Sequence, residues 1–175
     1  SGDEEGFNFE EVTYEGYGPG GAAIFIECMT DNRNRTVAEV RHALSKFDGN
    51  LGSDGSVSYL FEKVGLMTLP EVNNKNETME IAIDSGAEDL ESNEDGSIDI
   101  ITTPAEFMNV KESLVAEGIN PEIAEITMRA SVSVSMDVKH AESMLKLLDA
   151  LEDLDDVQAV HSNAEIPDEV LDSIG

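Results

Sequence analysis

Positive charge is scarce in this chain, and it is concentrated. The 175 residues carry 38 Asp and Glu against ten Lys and Arg, a formal net charge of −28. Four of those ten cations, Arg33, Arg35, Arg41 and Lys46, fall within the stretch from Thr30 to Lys46, beside Asn32, Asn34 and His42. Guanidinium forks and amides at the start of a helix are groups that grip phosphate oxygens, and the helix N-terminus itself favours anions. On either side lie the glycine-rich segments Gly16-Tyr17-Gly18-Pro19-Gly20-Gly21 and Gly49-Asn50-Leu51-Gly52-Ser53-Asp54-Gly55, which can bring bare backbone close to a ligand. The competing reading of the helix is a solvated ladder, with Arg35, Glu39, His42 and Lys46 on one face in i,i+4 steps.

The rest of the side-chain chemistry points away from catalysis. His42, His140 and His161 are far apart, and none sits at metal-ligand spacing with another His or Cys. The single Cys28 lies inside the apolar run from Ala22 to Met29, where it reads as a small core residue and excludes an internal disulfide. The first glycine segment lacks the Lys-Ser/Thr ending of a P-loop and has no dinucleotide-binding spacing. Carboxylates are too abundant for any pair to stand out as an acid and base, and the acids from Asp89 to Asp99 do not follow calcium-loop spacing. No catalytic residue, metal or cofactor is expected. Aromatics make up 5% of the chain and Trp is absent, so base stacking would fall to Tyr14, Tyr17 or Tyr59. No apolar run approaches the roughly 18 residues of a membrane span and no signal peptide is visible, so a soluble, cytoplasmic protein without a membrane partner is expected. The chain opens at Ser1 without an initiator Met, which reads as a cloning scar or a proteolytic start with upstream sequence missing.

Apolar periodicity places these residues on an α+β framework. Residues 7–14 and 22–30 read as strands around the first glycine loop, the second of them central and buried. Val37, Val40, Leu44 and Phe47 repeat at helical spacing, Thr36 with Glu39 fits a capping box, and Gly49 is placed to end the helix. Arg33 and Arg35 then lie off the apolar face, where replacement is expected to leave the fold unchanged. Val57, Tyr59 and Phe61 suggest a third strand running on towards Leu69. From residue 65 a β-α-β-β-α-β order follows, the ferredoxin-like arrangement, with strands at 65–69, 88–92, 98–102 and 123–130 and helices at 78–85 and 104–117. A helix at 138–154, a strand at 157–162 and a short helix from Pro167 end the chain and would complete the first sheet. Two domains are therefore expected: a split α+β domain of residues 1–63 and 132–175, with an inserted ferredoxin-like domain of residues 64–131. The acidic run Glu152, Asp153, Asp155 and Asp156 reads only as solubilising surface.

Three ordered segments carry a family resemblance: Tyr14-Glu15-Gly16-Tyr17-Gly18-Pro19-Gly20-Gly21, then Glu27 to Thr36 with Glu39-Val40-Arg41-His42, then Gly49 to Val57. With the later Ala87-Glu88-Asp89, Leu151-Glu152-Asp153, Asp156-Val157-Gln158 and Ile166 to Val170, the chain closely resembles the YebC/PmpR family over essentially its whole length. The resemblance implies a three-domain protein, cytoplasmic in bacteria or a mitochondrial activator of translation, with a basic helical N-terminal domain that this chain lacks. It implies no catalytic residues and a role in gene expression, as a DNA-binding transcriptional regulator or as a ribosome-associated factor aiding synthesis of proline-rich stretches. A protein-interaction scaffold remains the third reading. The implied partner is DNA, or ribosomal RNA, met with help from the N-terminal domain. The candidate nucleic-acid-binding residues are Asn32, Arg33, Asn34, Arg35, Arg41, His42 and Lys46, with Tyr17, Gly18, Gly20, Asn50 and Ser53 from the flanking loops.

Overall fold

The computed structural model describes residues 8–174. It is an α+β structure that divides into two compact units, Ser1–Phe61 with Ala130–Gly175, and Glu62–Arg129. The expected strand start at Phe7 lies outside the described residues.

The first unit is built on a four-stranded sheet. Strand β1 (Glu10–Tyr17) pairs antiparallel along its length with β2 (Ala23–Thr30), from Glu10 opposite Thr30 to Tyr17 opposite Ala23. A two-residue β3 (Asn50–Leu51) adds to the free edge of β1, and β9 (Val157–Ser162) pairs antiparallel with β2, giving the order β3-β1-β2-β9. β2 is central and buried because both of its faces are apolar: Ile24, Ile26 and Cys28 point one way, Ala23 and Phe25 the other. Helices α1 (Arg33–Lys46) and α4 (Val138–Glu152) bury Val40, Ala43 and Leu44, and Ala141, Met144, Leu147 and Leu151, in the core that holds Ile24 and Ile26. A parallel bridge between β8 (Val134–Ser135) and β10 (Ala164–Glu165), followed by α5 (Asp168–Ile174), closes this unit.

The second unit runs β4 (Phe61–Leu69), α2 (Lys75–Ser85), β5 (Asp89–Ser92), β6 (Ile98–Thr102), α3 (Phe107–Ala116) and β7 (Ile123–Ala130). Its sheet order is β5-β6-β4-β7, and its core gathers Met67, Leu69, Ala82, Ile98, Ile100, Phe107, Val110 and Leu114.

Several local expectations are corrected. Residues 57–61 do not form a strand of the first sheet: Ser58–Leu60 is a 3-10 turn, and the strand that begins at Phe61 belongs to the second sheet. α1 starts three residues before the expected Thr36, because the cap is Asn32, whose Oδ1 accepts the Arg35 N–H at 3.1 Å. Thr36 is therefore an interior helical residue. At the other end Asp48, not a glycine, takes the left-handed conformation after the helix, with φ of 61°.

Candidate nucleic-acid interface

The first turn of α1 is folded onto its own sheet. Arg33 donates from Nε to Glu10 Oε1 at 2.6 Å and from Nη2 to Glu10 Oε2 at 3.3 Å, an exposed fork between α1 and β1. Arg35 turns the other way and donates from Nε to Asp156 Oδ2 at 3.2 Å and from Nη2 to Asp156 Oδ1 at 3.0 Å, with Asp31 Oδ1 at 2.9 Å. Thr36 Oγ1 donates to Asp156 Oδ2 at 2.7 Å and lies 2.7 Å from Thr30 Oγ1. The Asp156 side chain is 9% exposed, whereas that of Arg35 is 42% exposed. The Arg35 and Thr36 hydrogen bonds and the Arg35 charge outweigh desolvation and hold the Asp156 carboxyl below its ordinary range. Asp156 is thus not solubilising surface: it locks the loop before β9 to the start of α1, and its own carbonyl accepts the Met29 N–H at 2.9 Å.

These partners change what the two arginines can do. Arg35 opens on a cleft of about 490 Å³ whose lining includes Asp31, Glu39, Asp155 and Asp156. A phosphate placed there would face four carboxylates, so the guanidinium is a clamp of the fold and not a rung of the expected Glu39, His42, Lys46 ladder. Arg33 has Glu10 in its fork and Asp54 within electrostatic reach, and both carboxylates raise its pKa.

The second half of the helix is different. Arg41, His42 and Lys46 are exposed on its outer face, and none has a carboxylate partner among the described residues. Lys46 sits 5.5 Å from the centroid of the Phe47 ring and near the C-terminal end of the helix, where the dipole favours a cation. Asn34 and Asn50 are also exposed, on the first turn of α1 and on β3, while Asn32 is occupied as the cap.

The glycine loops serve mainly the fold. β1 continues through Gly16 and Tyr17, and the first loop is reduced to Gly18 to Ala22 around the turn Pro19–Gly21. Gly18 is buried; a Cβ there would lie 2.6 Å from Met144 Cε and 2.8 Å from Ile24 Cδ1, so its bare backbone faces the core and no ligand. Gly49 is bare because the Tyr17 carbonyl comes within 2.5 Å of where its Cβ would stand. Gly20 and Ser53 are exposed, and Tyr17 is half-buried with its hydroxyl donating to the Ser56 carbonyl at 3.4 Å.

A carboxylate that sequence patterning did not single out organises the second loop. Glu15, on β1 and 5% exposed, accepts the Gly55 N–H on Oε2 at 2.6 Å, and the Val57 and Ser58 N–H groups on Oε1 at 2.9 and 2.6 Å. Desolvation would raise its pKa, and the backbone donors together overcome it and lower the value. Among the described residues no group of three His, Cys, Asp or Glu side chains could hold a metal ion, and no helix is long and apolar enough to cross a membrane.

Comparison with known proteins adds a family. Residues 9–164 match the model described as the TACO1/YebC second and third domain. A probable transcriptional regulatory protein of Nitrosococcus oceani is 55% identical over all 175 residues, which span 71% of that relative. One of Hahella chejuensis is 54% identical over 168 residues, 96% of this chain and 68% of the relative. The crystal structure of a conserved hypothetical protein from Aquifex aeolicus superposes with a TM-score of 0.79 at 49% identity, covering 93% of this chain and 68% of that one.

Proposed function

This chain belongs to the TACO1/YebC family, and from that premise we propose that it is a non-catalytic regulator of gene expression that docks on nucleic acid through the outer face of α1. The observation that carries the reading is the exposed strip Arg41, His42 and Lys46, whose cations Arg41 and Lys46 have no carboxylate partner among the described residues, on the helix that holds four of only ten Lys and Arg in a chain of net charge −28. The relatives are named as regulatory proteins and not as enzymes. Such a strip contacts phosphates, which position a protein on nucleic acid without reading sequence. The surrounding acidity then suppresses indiscriminate attachment.

DNA and ribosomal RNA are the two targets in question. Helices that read the major groove use residues of their N-terminal turn, and in α1 that turn holds Arg33 against Glu10 and Arg35 against Asp156. This favours phosphate and shape contacts, the mode that structured RNA on the ribosome requires. Base-specific readout of DNA, if the whole protein performs it, would come from a part outside this chain.

The test is a salt series of fluorescence anisotropy with labelled duplex DNA and structured RNA. Charge reversal of Arg41 and Lys46 to Glu should weaken binding and reduce the slope of log K against log salt by about 1 to 2, since each neutralised phosphate contributes about 0.7 to 0.9. Unchanged affinity and slope in the double variant would remove the strip from the interface.

A further inference from the structure

We propose that Tyr59 is a stacking contact for an unpaired nucleobase, presented by a turn that Glu15 holds rigid. The proposal rests on the nucleic-acid reading above and adds a single-stranded partner to it. The three tyrosines of this Trp-free chain stand in unlike settings. Tyr14 is partly buried on β1, where burial raises its pKa, and Tyr17 is half-buried against Ser56. Tyr59 is 76% exposed, the most exposed large hydrophobic side chain among the described residues.

Its backbone is fixed on several sides. Glu15 accepts the N–H groups of Gly55, Val57 and Ser58 at 2.6, 2.9 and 2.6 Å, and the Val57 side chain is fully buried just before the turn. Within the turn the Leu60 N–H reaches the Val57 carbonyl at 2.9 Å, and the Leu60 carbonyl accepts the Ser131 N–H at 2.8 Å. A buried carboxylate whose three hydrogen bonds all end in one surface loop leaves that loop little entropy to lose on binding. The same loop carries Asp54, which lies within electrostatic reach of Arg33 at the start of α1. An exposed ring on a held turn suits an unpaired base, whose π-face stacks whatever its identity; bases within a duplex are stacked already and offer no face.

The probes are a single-stranded RNA of twelve nucleotides carrying one 2-aminopurine and a matched duplex, titrated against the whole chain and its Tyr59→Ala, Tyr59→Phe and Arg41→Glu/Lys46→Glu variants. Tyr59→Ala should weaken single-strand binding at least fivefold, abolish the quenching of 2-aminopurine, and leave the salt slope and duplex affinity unchanged; Tyr59→Phe should retain both affinity and quenching. Glu15→Gln, with its fold checked by a thermal melt, should weaken quenching in the same direction. If the strip variants lose RNA while Tyr59→Ala binds and quenches like the parent, the stacking contact is wrong and the strip reading stands. Equal losses on single strand and duplex would also overturn it. No binding by the parent chain to either probe would overturn both readings.

Discussion

Arg35 and Asp156 are 121 positions apart in sequence and form a two-pronged ion pair at 3.2 and 3.0 Å that fastens the start of α1 to the loop before β9. The pair divides the basic cluster into cations that hold the fold together and cations that face outward. It also reverses one expectation, that Arg33 and Arg35 are equally dispensable to the fold.

Arg35→Ala leaves the buried Asp156 carboxylate with Thr36 and no cation, and unpaired buried charge is strongly destabilising. A fall in Tm of at least about 4 °C is expected for a chain of this size. Arg33→Ala removes only an exposed pair with Glu10 and should shift Tm by less than about 2 °C. Thermal melts of the two single variants side by side check this; equal shifts would mean that the Asp156 clamp carries no stability.

Gly18→Ala drives a methyl group against Met144 and Ile24 in the core, a form of overpacking that costs about 1–3 kcal/mol. The expected fall in Tm is roughly 3–9 °C. A Gly18→Ala variant that melts like the parent but loses nucleic acid would place Gly18 at a ligand and not in the core.

Acid should weaken the first unit through two carboxylates. Glu15 and Asp156 both titrate below their ordinary values of 4.5 and 3.8 in the folded chain. A depressed carboxylate contributes stability that is fully present above its unfolded pKa and is lost as pH falls through the folded value. Denaturant midpoints should therefore be flat near neutrality and fall steeply below about pH 4.5. Glu15→Gln and Asp156→Asn should be weaker than the parent at pH 7 and converge on it in acid; parallel curves at all pH values would exclude these groups.

Residues 62–129, expressed alone, should fold cooperatively, because they contain their own four-stranded sheet and a core of Met67, Leu69, Ile98, Ile100, Phe107, Val110 and Leu114. A single sigmoidal melt with native circular dichroism is the expected outcome, and a non-cooperative trace would show that the unit needs the rest of the chain.

What could be read from the sequence follows from the range of the interactions concerned. β2, α1 and α4 were legible because their apolar spacing is written within each segment: Ile24 and Ile26, Val40 and Leu44, Ala141 and Met144 occupy the buried face that periodicity assigns. The cap was misread because Thr36 and Glu39 offer a matching local pattern, whereas Asn32 captures the Arg35 N–H and Thr36 is drawn inward by Asp156. Asp156 and Glu15 were hidden among 38 acids, and what sets them apart is a partner 121 residues away in one case and a loop some 40 residues away in the other. The glycine loops suggested ligand contact since sequence records the missing side chain but not the neighbour, which for Gly18 is the core. The outer cations Arg41 and Lys46 were legible as charge; that they, unlike Arg33 and Arg35, are free of carboxylates among the described residues required the fold.

The central claim is that nucleic acid is met on the outer face of α1. Crosslinking in cells that carry the parent chain or its Arg41→Glu/Lys46→Glu variant at equal abundance, followed by sequencing of the attached nucleic acid, tests it most directly. A defined RNA or DNA population is expected on the parent, lost by about tenfold or more when both cations are reversed, with an unchanged thermal melt. Recovery of the same population in equal yield from both, or none above background from the parent, would contradict it.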